Sequence, residues 1–364
     1  MALFWYSSAT GLTGGKLAED LGLDGHSSRE LPNLRNIDKL ICWGCKTNRN
    51  YSIPNRVRVL NHPNAIRLNR NKLKALEKMR DADRNLVPEF KTRLTDEDIR
   101  TKRWVGRTKY HQGGKGFWLI LNKDDYENAK AEGAQYFQEH VNIKNEYRLH
   151  IFRDEMIYAV RKVKHSDPAA SWKAIVKEDL EGKIDNVNNE DLDRILNAAV
   201  KRITLPDRII RSNKRGWKFS RITRVPEELI SKAVLALRAI GLDFGAVDMV
   251  ETLEGNCFVI EVNTGPGLKG TSYERWLEKF RTYLSENNNE ANNENPRLRE
   301  ARAEAINEVH AEAVNVRNNA ENIENGNAQA KIVDSVKGLV INLDFSNVSE
   351  EDKRKINKIE INVT

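Results

Sequence analysis

Residues 241–268 read GLDFGAVDMVETLEGNCFVIEVNTGPGL. Val247 with Met249, and then Phe258-Val259-Ile260, mark two short strands separated by a turn at Glu254-Gly255-Asn256. Asp248 lies inside the first strand, Glu261 ends the second, and Asn263 follows two residues on. Side chains alternate along a strand, so Glu261 and Asn263 share one face. Antiparallel pairing across the turn lets Asp248 reach that face as well. Three oxygen ligands converging from a sheet, ahead of a Gly-Pro-Gly turn, suit Mg²⁺ shared with phosphate groups. A plain hairpin with solvated acids would leave unexplained why a carboxylate and an amide close an apolar strand.

Outward from this stretch, 364 residues are enough for two or three domains. The apolar share of 39% and charged share of 31% fit a folded chain with a charged surface. There is no run of eighteen apolar residues, so no membrane span is expected. MALFWYSSATGL has no basic segment ahead of its apolar residues, which argues against a signal peptide. Cys42, Cys45 and Cys257 are too few for a disulfide framework, and a reducing, cytoplasmic setting is expected. The net charge of +7 favours an acidic partner without choosing among nucleotide, anionic peptide and nucleic acid. No helix-turn-helix, zinc-finger or aromatic-basic RNA signature occurs, so nucleic acid is not the expected partner.

Taken in order, Leu3 to Tyr6, Lys39 to Cys45 and Arg56 to Leu60 read as strands of an N-terminal α/β domain. GLTGGKL is no Walker A motif, because Thr10 stands where the first glycine is needed and no Ser or Thr follows Lys16. The Cys42-x-x-Cys45 pair lacks a second metal half-site and reads as buried strand-end residues. Asn69 to Arg80 reads as one helix, with Leu73, Leu76 and Met79 at helical spacing. Trp104 to Leu121 reads as two strands around Gly113-Gly114-Lys115-Gly116. Such a loop lets backbone N–H groups approach phosphate oxygens, with Lys115 adding charge. Arg148 to Val160 reads as a hairpin, with Arg148 as a candidate anion contact. PEELISKAVLALRAI, from Pro226 to Ile240, and Tyr273 to Leu284 read as helices.

The Asp…Glu-x-Asn set, the preceding GLDFGAVD and the following NTGPGL resemble the metal-binding end of ATP-grasp ligases. The branch most similar contains ribosomal-protein glutamate ligases and glutathione synthetase-like enzymes. The resemblance covers about residues 1–284. It implies a mixed α+β and α/β fold: an N-terminal domain over 1–88 and an ATP-grasp domain over 89–284. It also implies ATP and two Mg²⁺ ions (Mn²⁺ being the alternative metal) held by Asp248, Glu261 and Asn263. Phe137 to Val141 would be the strand whose backbone meets adenine, with Glu139 and Val141 at the nucleotide. Glu146, seven residues after Glu139, would take the ribose hydroxyls, a role natural for a carboxylate. The family's phosphate-binding Lys-Pro is replaced here by Arg107-Thr108, with Lys109 close by, beside the Gly113, Gly114, Lys115 and Gly116 loop. Arg215, Lys218 and Arg221 would supply a cation to the γ-phosphate or the acid substrate. The implied activity joins a carboxylate to an amine through an acylphosphate. Its substrates would be a small-molecule amino acid and a carboxylate, peptide or protein. A repurposed nucleotide-binding protein in an assembly is the alternative.

Beyond the resemblance, SENNNEANNEN reads as a polar linker over 285–296. Ile306, Val309, Ala313, Val316, Ala320 and Ile323 form a coiled-coil-like seam within a helical segment, 297–335. Alternation at Leu339 to Phe345 and Ile359 to Val363 suggests a small β module, 336–364, too small to bury its own core. Homo-oligomerisation through this region is therefore expected.

Overall fold

The computed structural model describes residues 1–8, 11–111, 116–180, 189–286 and the strands at 330–334 and 339–343. The chain forms two compact units, 1–302 and 303–364. In the second, Ala330–Asp334 pairs antiparallel with Leu339–Leu343. The 306–323 seam, the 359–363 strand and most of the 285–296 linker lie outside the described residues, as do Gly113, Gly114 and Lys115.

The first unit opens with β1 (Ala2–Tyr6), α1 (Gly11–Asp20), β2 (Asp24–His26), β3 (Lys39–Trp43) and β4 (Arg58–Leu60). The strands make a parallel sheet in the order β2-β1-β3-β4. Every residue of β3 is buried, as a central strand covered on both faces requires. Two helices follow, α2 (Pro63–Arg70), which the periodicity does not predict, and α3 (Lys72–Ala82), in place of the helix expected over Asn69 to Arg80. Asn71 divides them. It ends α2, and its side chain accepts the backbone N–H of Lys74 to start α3.

Next come β5 (Phe90–Lys91), α4 (Asp96–Thr101), β6 (Trp104–Arg107), β7 (Phe117–Ile120), α5 (Lys123–Ala131) and β8 (Tyr136–Glu139). They form an antiparallel sheet, β5-β8-β6-β7, over a core of Trp104, Ile120, Tyr126 and Phe137. The last part holds β9 (Ile143–Phe152), β10 (Glu155–Lys164), α6 (Pro168–Leu180), α7 (Asn189–Val200), β11 (Trp217–Arg221), α8 (Glu227–Ala239), β12 (Phe244–Thr252), β13 (Cys257–Asn263) and α9 (Thr271–Ser285). Its antiparallel sheet runs β11-β10-β9-β12-β13. Gly255, at φ +86°, makes the turn between β12 and β13 that most side chains would resist.

An aromatic core fixes this sheet to the N-terminal one. Phe4 and Trp43 pack with Phe152, Phe244, Trp276 and Phe280, and the Trp43 and Trp276 rings meet edge-on at 5.1 Å. A buried polar lock lies beside it. Asn61 donates from its backbone to Asp243 Oδ2 (2.5 Å) and from Nδ2 to the Phe244 carbonyl (2.9 Å). Its Oδ1 accepts the N–H groups of Asp243 (2.8 Å) and Phe244 (3.1 Å). These contacts hold Asn61 at φ +58° and anchor the start of β12, the strand that carries Asp248.

Candidate functional site

Strand register decides what the five-stranded sheet presents. Across β9 and β12, Arg148 faces Asp248 and Glu146 faces Val250; across β12 and β13, Asp248 faces Glu261 and Ala246 faces Asn263. Lys162 on β10 faces Phe219 on β11. Directly opposed residues share a face. One face of the sheet therefore collects Glu146, Arg148, Lys162, Phe219, Asp248, Glu261 and Asn263. The same face turns aromatic toward Phe152 and Phe244, which belong to the core.

Its charges are closely paired. Arg148 binds Asp248 through two hydrogen bonds, Nε to Oδ1 at 2.7 Å and Nη2 to Oδ2 at 2.8 Å. Asn263 donates from Nδ2 to Asp248 Oδ2 at 3.1 Å, and Lys162 pairs with Glu146. The Arg148 guanidinium lies over the Phe219 ring at 4.9 Å, and Lys162 lies 5.7 Å from it. Burial alone would raise the pKa of Asp248, but Arg148 outweighs it and holds the carboxyl below its usual value. For Glu146 burial prevails over Lys162, and its pKa is raised.

From the N-terminal side, Lys72 Nζ reaches Glu261 Oε1 at 3.5 Å and donates to the Val262 carbonyl at 3.3 Å. The backbone N–H of Lys72 donates to the Lys109 carbonyl at 2.8 Å, tying α3 to the end of β6. There Arg107 donates to the His111 ring, Nη2 to Nδ1 at 2.6 Å, and covers the Phe117 ring. Burial, with Arg107 and Lys72 nearby, pushes His111 down to about 3. Burial pushes the neighbouring Tyr136 up to about 12. Arg107, His111, Lys72 and Glu261 thus connect the four-stranded sheet to the carboxylates.

The sequence-derived set divides accordingly. Asp248, Glu261, Asn263, Arg148 and Glu146 come together on one sheet face, while Arg107 and Lys109 stand at the end of β6. Glu139 on β8 pairs with Lys102 at 3.0 Å, and Val141 is half-buried between β8 and β9. Gly116 starts the return strand at φ +59°, where a Cβ would fall 2.8 Å from Thr108 Oγ1. Arg215 sits in a short helical turn, bound to Asp207 at 2.8 Å. Lys218 alternates with Phe219 and so lies on the opposite face from the carboxylates. Neither is brought to the carboxylates in this structure. Arg221 shares the Phe219 face, over the Tyr158 ring. Lys72, Lys162, His111 and Phe219 escaped sequence reasoning. A period-two reading of Trp217, Phe219 and Arg221 would have found the last.

The residues fit the groups that the resemblance implies. Two carboxylates and an amide oxygen are hard donors of the kind Mg²⁺ selects. Near the end of β8, Gln138 Nε2, His140 Nδ1 and Arg211 Nε are buried without a hydrogen-bond partner. Buried polar atoms of this kind call for a ligand or water. Glu146 and His140 both interact electrostatically with Arg211, so these groups adjoin the candidate ribose carboxylate.

No family model and no curated protein matches the chain. Among solved structures, D-alanine–D-alanine ligase from Bacillus anthracis superposes with a TM-score of 0.51 at 12% identity, covering 86% of this chain and 99% of that one. The ATP-grasp ligase PsnB, complexed with a phosphomimetic variant of its minimal precursor, Mg and ADP, gives 0.49 at 14% identity, covering 78% and 97%. The macrocyclase MdnC bound with precursor peptide MdnA, from Microcystis aeruginosa, gives 0.49 at 11%, covering 79% and 100%.

Proposed function

Since the chain has the ATP-grasp fold, we propose that it is an ATP-dependent carboxylate–amine ligase. The observation that carries this reading is the convergence of Asp248, Glu261 and Asn263 on the sheet face that also holds Glu146 and Arg148. Asp248, Glu261 and Asn263 would hold Mg²⁺. When bound, Mg²⁺ supplies positive charge to the phosphate oxygens. Glu146 would accept the ribose hydroxyls, and the backbone from Glu139 to Val141 would meet adenine. Arg148, Lys72 and Arg107 would meet phosphate oxygens.

In the reaction proposed, a carboxylate oxygen of the acid substrate bonds to the γ-phosphorus while the bridging oxygen leaves with ADP. The amine nitrogen then bonds to the carbonyl carbon of the acylphosphate. Phosphate leaves with the bonding pair, and the amine proton passes to solvent. The protein positions the reactants and stabilises charge, as in phosphoryl transfer generally. A nucleophilic Ser or Cys is not needed.

One observation favours the alternative, a repurposed nucleotide-binding protein: Arg148 engages both oxygens of Asp248. Release of ADP decides between them. With ATP, Mg²⁺, an amino-acid mixture and a panel of carboxylates, a ligase releases ADP only when both an acid and an amine are present. Release that ignores both, or none with any pair, contradicts ligation.

A further inference from the structure

The two edges of the five-stranded sheet differ. On β13 the outer backbone is occupied: Val259 N–H donates to the Leu86 carbonyl at 2.8 Å, and Val262 O accepts from Asn69 at 2.9 Å and Lys72 at 3.3 Å. On β11 it is open. Ladder bonds from His165 N–H to Gly216 O and from Ile222 N–H to Ala159 O bracket the β10–β11 pair. By alternation the even-numbered residues of β11 bond inward to β10, and the backbone N–H and C=O of Phe219 and Arg221 point outward. Among the described residues nothing bonds to those outward groups. The strand itself is held firmly. Trp217 Nε1 donates to the Asp207 carbonyl at 2.7 Å, Arg211 stacks on its ring at 4.8 Å, and its N–H bonds Ser212.

Charge surrounds the open edge. Arg161, Lys164, Lys218, Arg221 and Arg224 are all exposed, and among the described residues none makes an ion pair. Elsewhere on the surface, pairs such as Lys144–Glu251 and Arg238–Asp154 are common. Cations on an edge strand also discourage aggregation. That role does not require an exposed aromatic, yet Phe219, at 36% exposure, continues the edge onto the carboxylate-bearing face.

We propose that the β11 edge docks an extended acidic peptide segment by strand addition, its backbone pairing with Phe219 and Arg221 and its carboxylates meeting the flanking cations. The proposal rests on the ligase reading only for the further point that this peptide is the substrate. An added strand lies four strand spacings from β12, about 19 Å at about 4.8 Å each. The docked segment is therefore an anchor, and a reacting carboxylate in the same chain lies about six extended residues away.

The test uses the full-length chain and a fluorescein-labelled dodecapeptide of alternating glutamate and threonine, read by anisotropy. Binding is expected, and the double change Lys218→Glu with Arg221→Glu should weaken it on the order of tenfold or more. The decisive arm alters only the peptide. Backbone N-methylation of every second residue should abolish binding in one parity and spare it in the other, since only one set of N–H groups faces β11. Absence of binding, or equal loss in both parities, overturns strand addition. So does a single-stranded oligonucleotide that binds the same cations more tightly while methylation has no effect. ADP release is a separate readout: peptide binding without it leaves docking intact and counts against ligation. ADP release with small acids but no peptide binding does the reverse.

Discussion

Arg148 and Asp248, a hundred residues apart in the chain, face each other across β9 and β12 and share two hydrogen bonds of 2.7 and 2.8 Å. The pair is largely buried, with side-chain exposures of 23% and 14%. Removing one partner strands the other, at a cost of about 3 kcal/mol. Arg148→Leu and Asp248→Leu should each lower the unfolding free energy, read from urea melts, by that amount, while the double variant recovers much of the loss. Additive losses would show that the two side chains are not coupled.

Asn61 should be among the costliest polar positions to change. Asn61→Ala removes three buried hydrogen bonds, to the Asp243 and Phe244 N–H groups and to the Phe244 carbonyl. The expected loss is about 3 kcal/mol, read from denaturant melts. A change below about 0.5 kcal/mol would show that water replaces those bonds.

The β12–β13 hairpin was readable because its apolar alternation and the Gly255 turn agree. The carboxylates follow from that register. The ion pair could not be read, since nothing local links Arg148 to a partner a hundred residues on. Lys72 lies in NKLK, where its neighbours Lys74 and Leu73 make it look like any helix-surface lysine. In the basic stretch RSNKRGWKFSR the only signal of β11 is the alternation of Trp217 and Phe219, which the surrounding charges mask. At Asn71 a capping side chain outweighed the helical period, which is why the helix expected from Asn69 starts at Lys72.

Acid should weaken the fold before carboxylates titrate. Burial holds His111 down to about 3 and His150 down to about 4, and His150 Nδ1 accepts the Trp276 indole N–H at 2.9 Å. Unfolding frees both to take up protons near their ordinary value of 6.5. The unfolded state then binds more protons, so stability falls as pH drops from about 6.5 toward 4. The slope is about 1.4 kcal/mol per pH unit for each histidine. Urea midpoints of wild type and His150→Asn at pH 7, 6 and 5 read this directly. The variant should show the shallower dependence, and equal slopes would contradict the assignment.

Lys72→Met should leave Glu261 without its cation. Mg²⁺ binding without nucleotide should tighten by about fivefold, while ATP binding weakens by a similar factor. Calorimetric titration separates the two. Loss of both affinities together would mean that Lys72 only shapes the site.

Glu146→Ala should raise the KM for ATP more than it lowers kcat, because ribose contacts are similar in ground and transition states. Unchanged nucleotide affinity would remove Glu146 from the ribose.

The most direct test of the ligase account is the rate of acid- and amine-dependent ADP release by Glu261→Gln compared with wild type. Glu261 faces Asp248 across β12 and β13 and is the carboxylate that Lys72 approaches. Neutralising it removes one of the two carboxylates proposed to hold Mg²⁺ and keeps the side-chain shape. The account predicts a folded protein whose rate falls on the order of 10²–10³-fold. A folded Glu261→Gln protein that releases ADP at near-wild-type rate would contradict it.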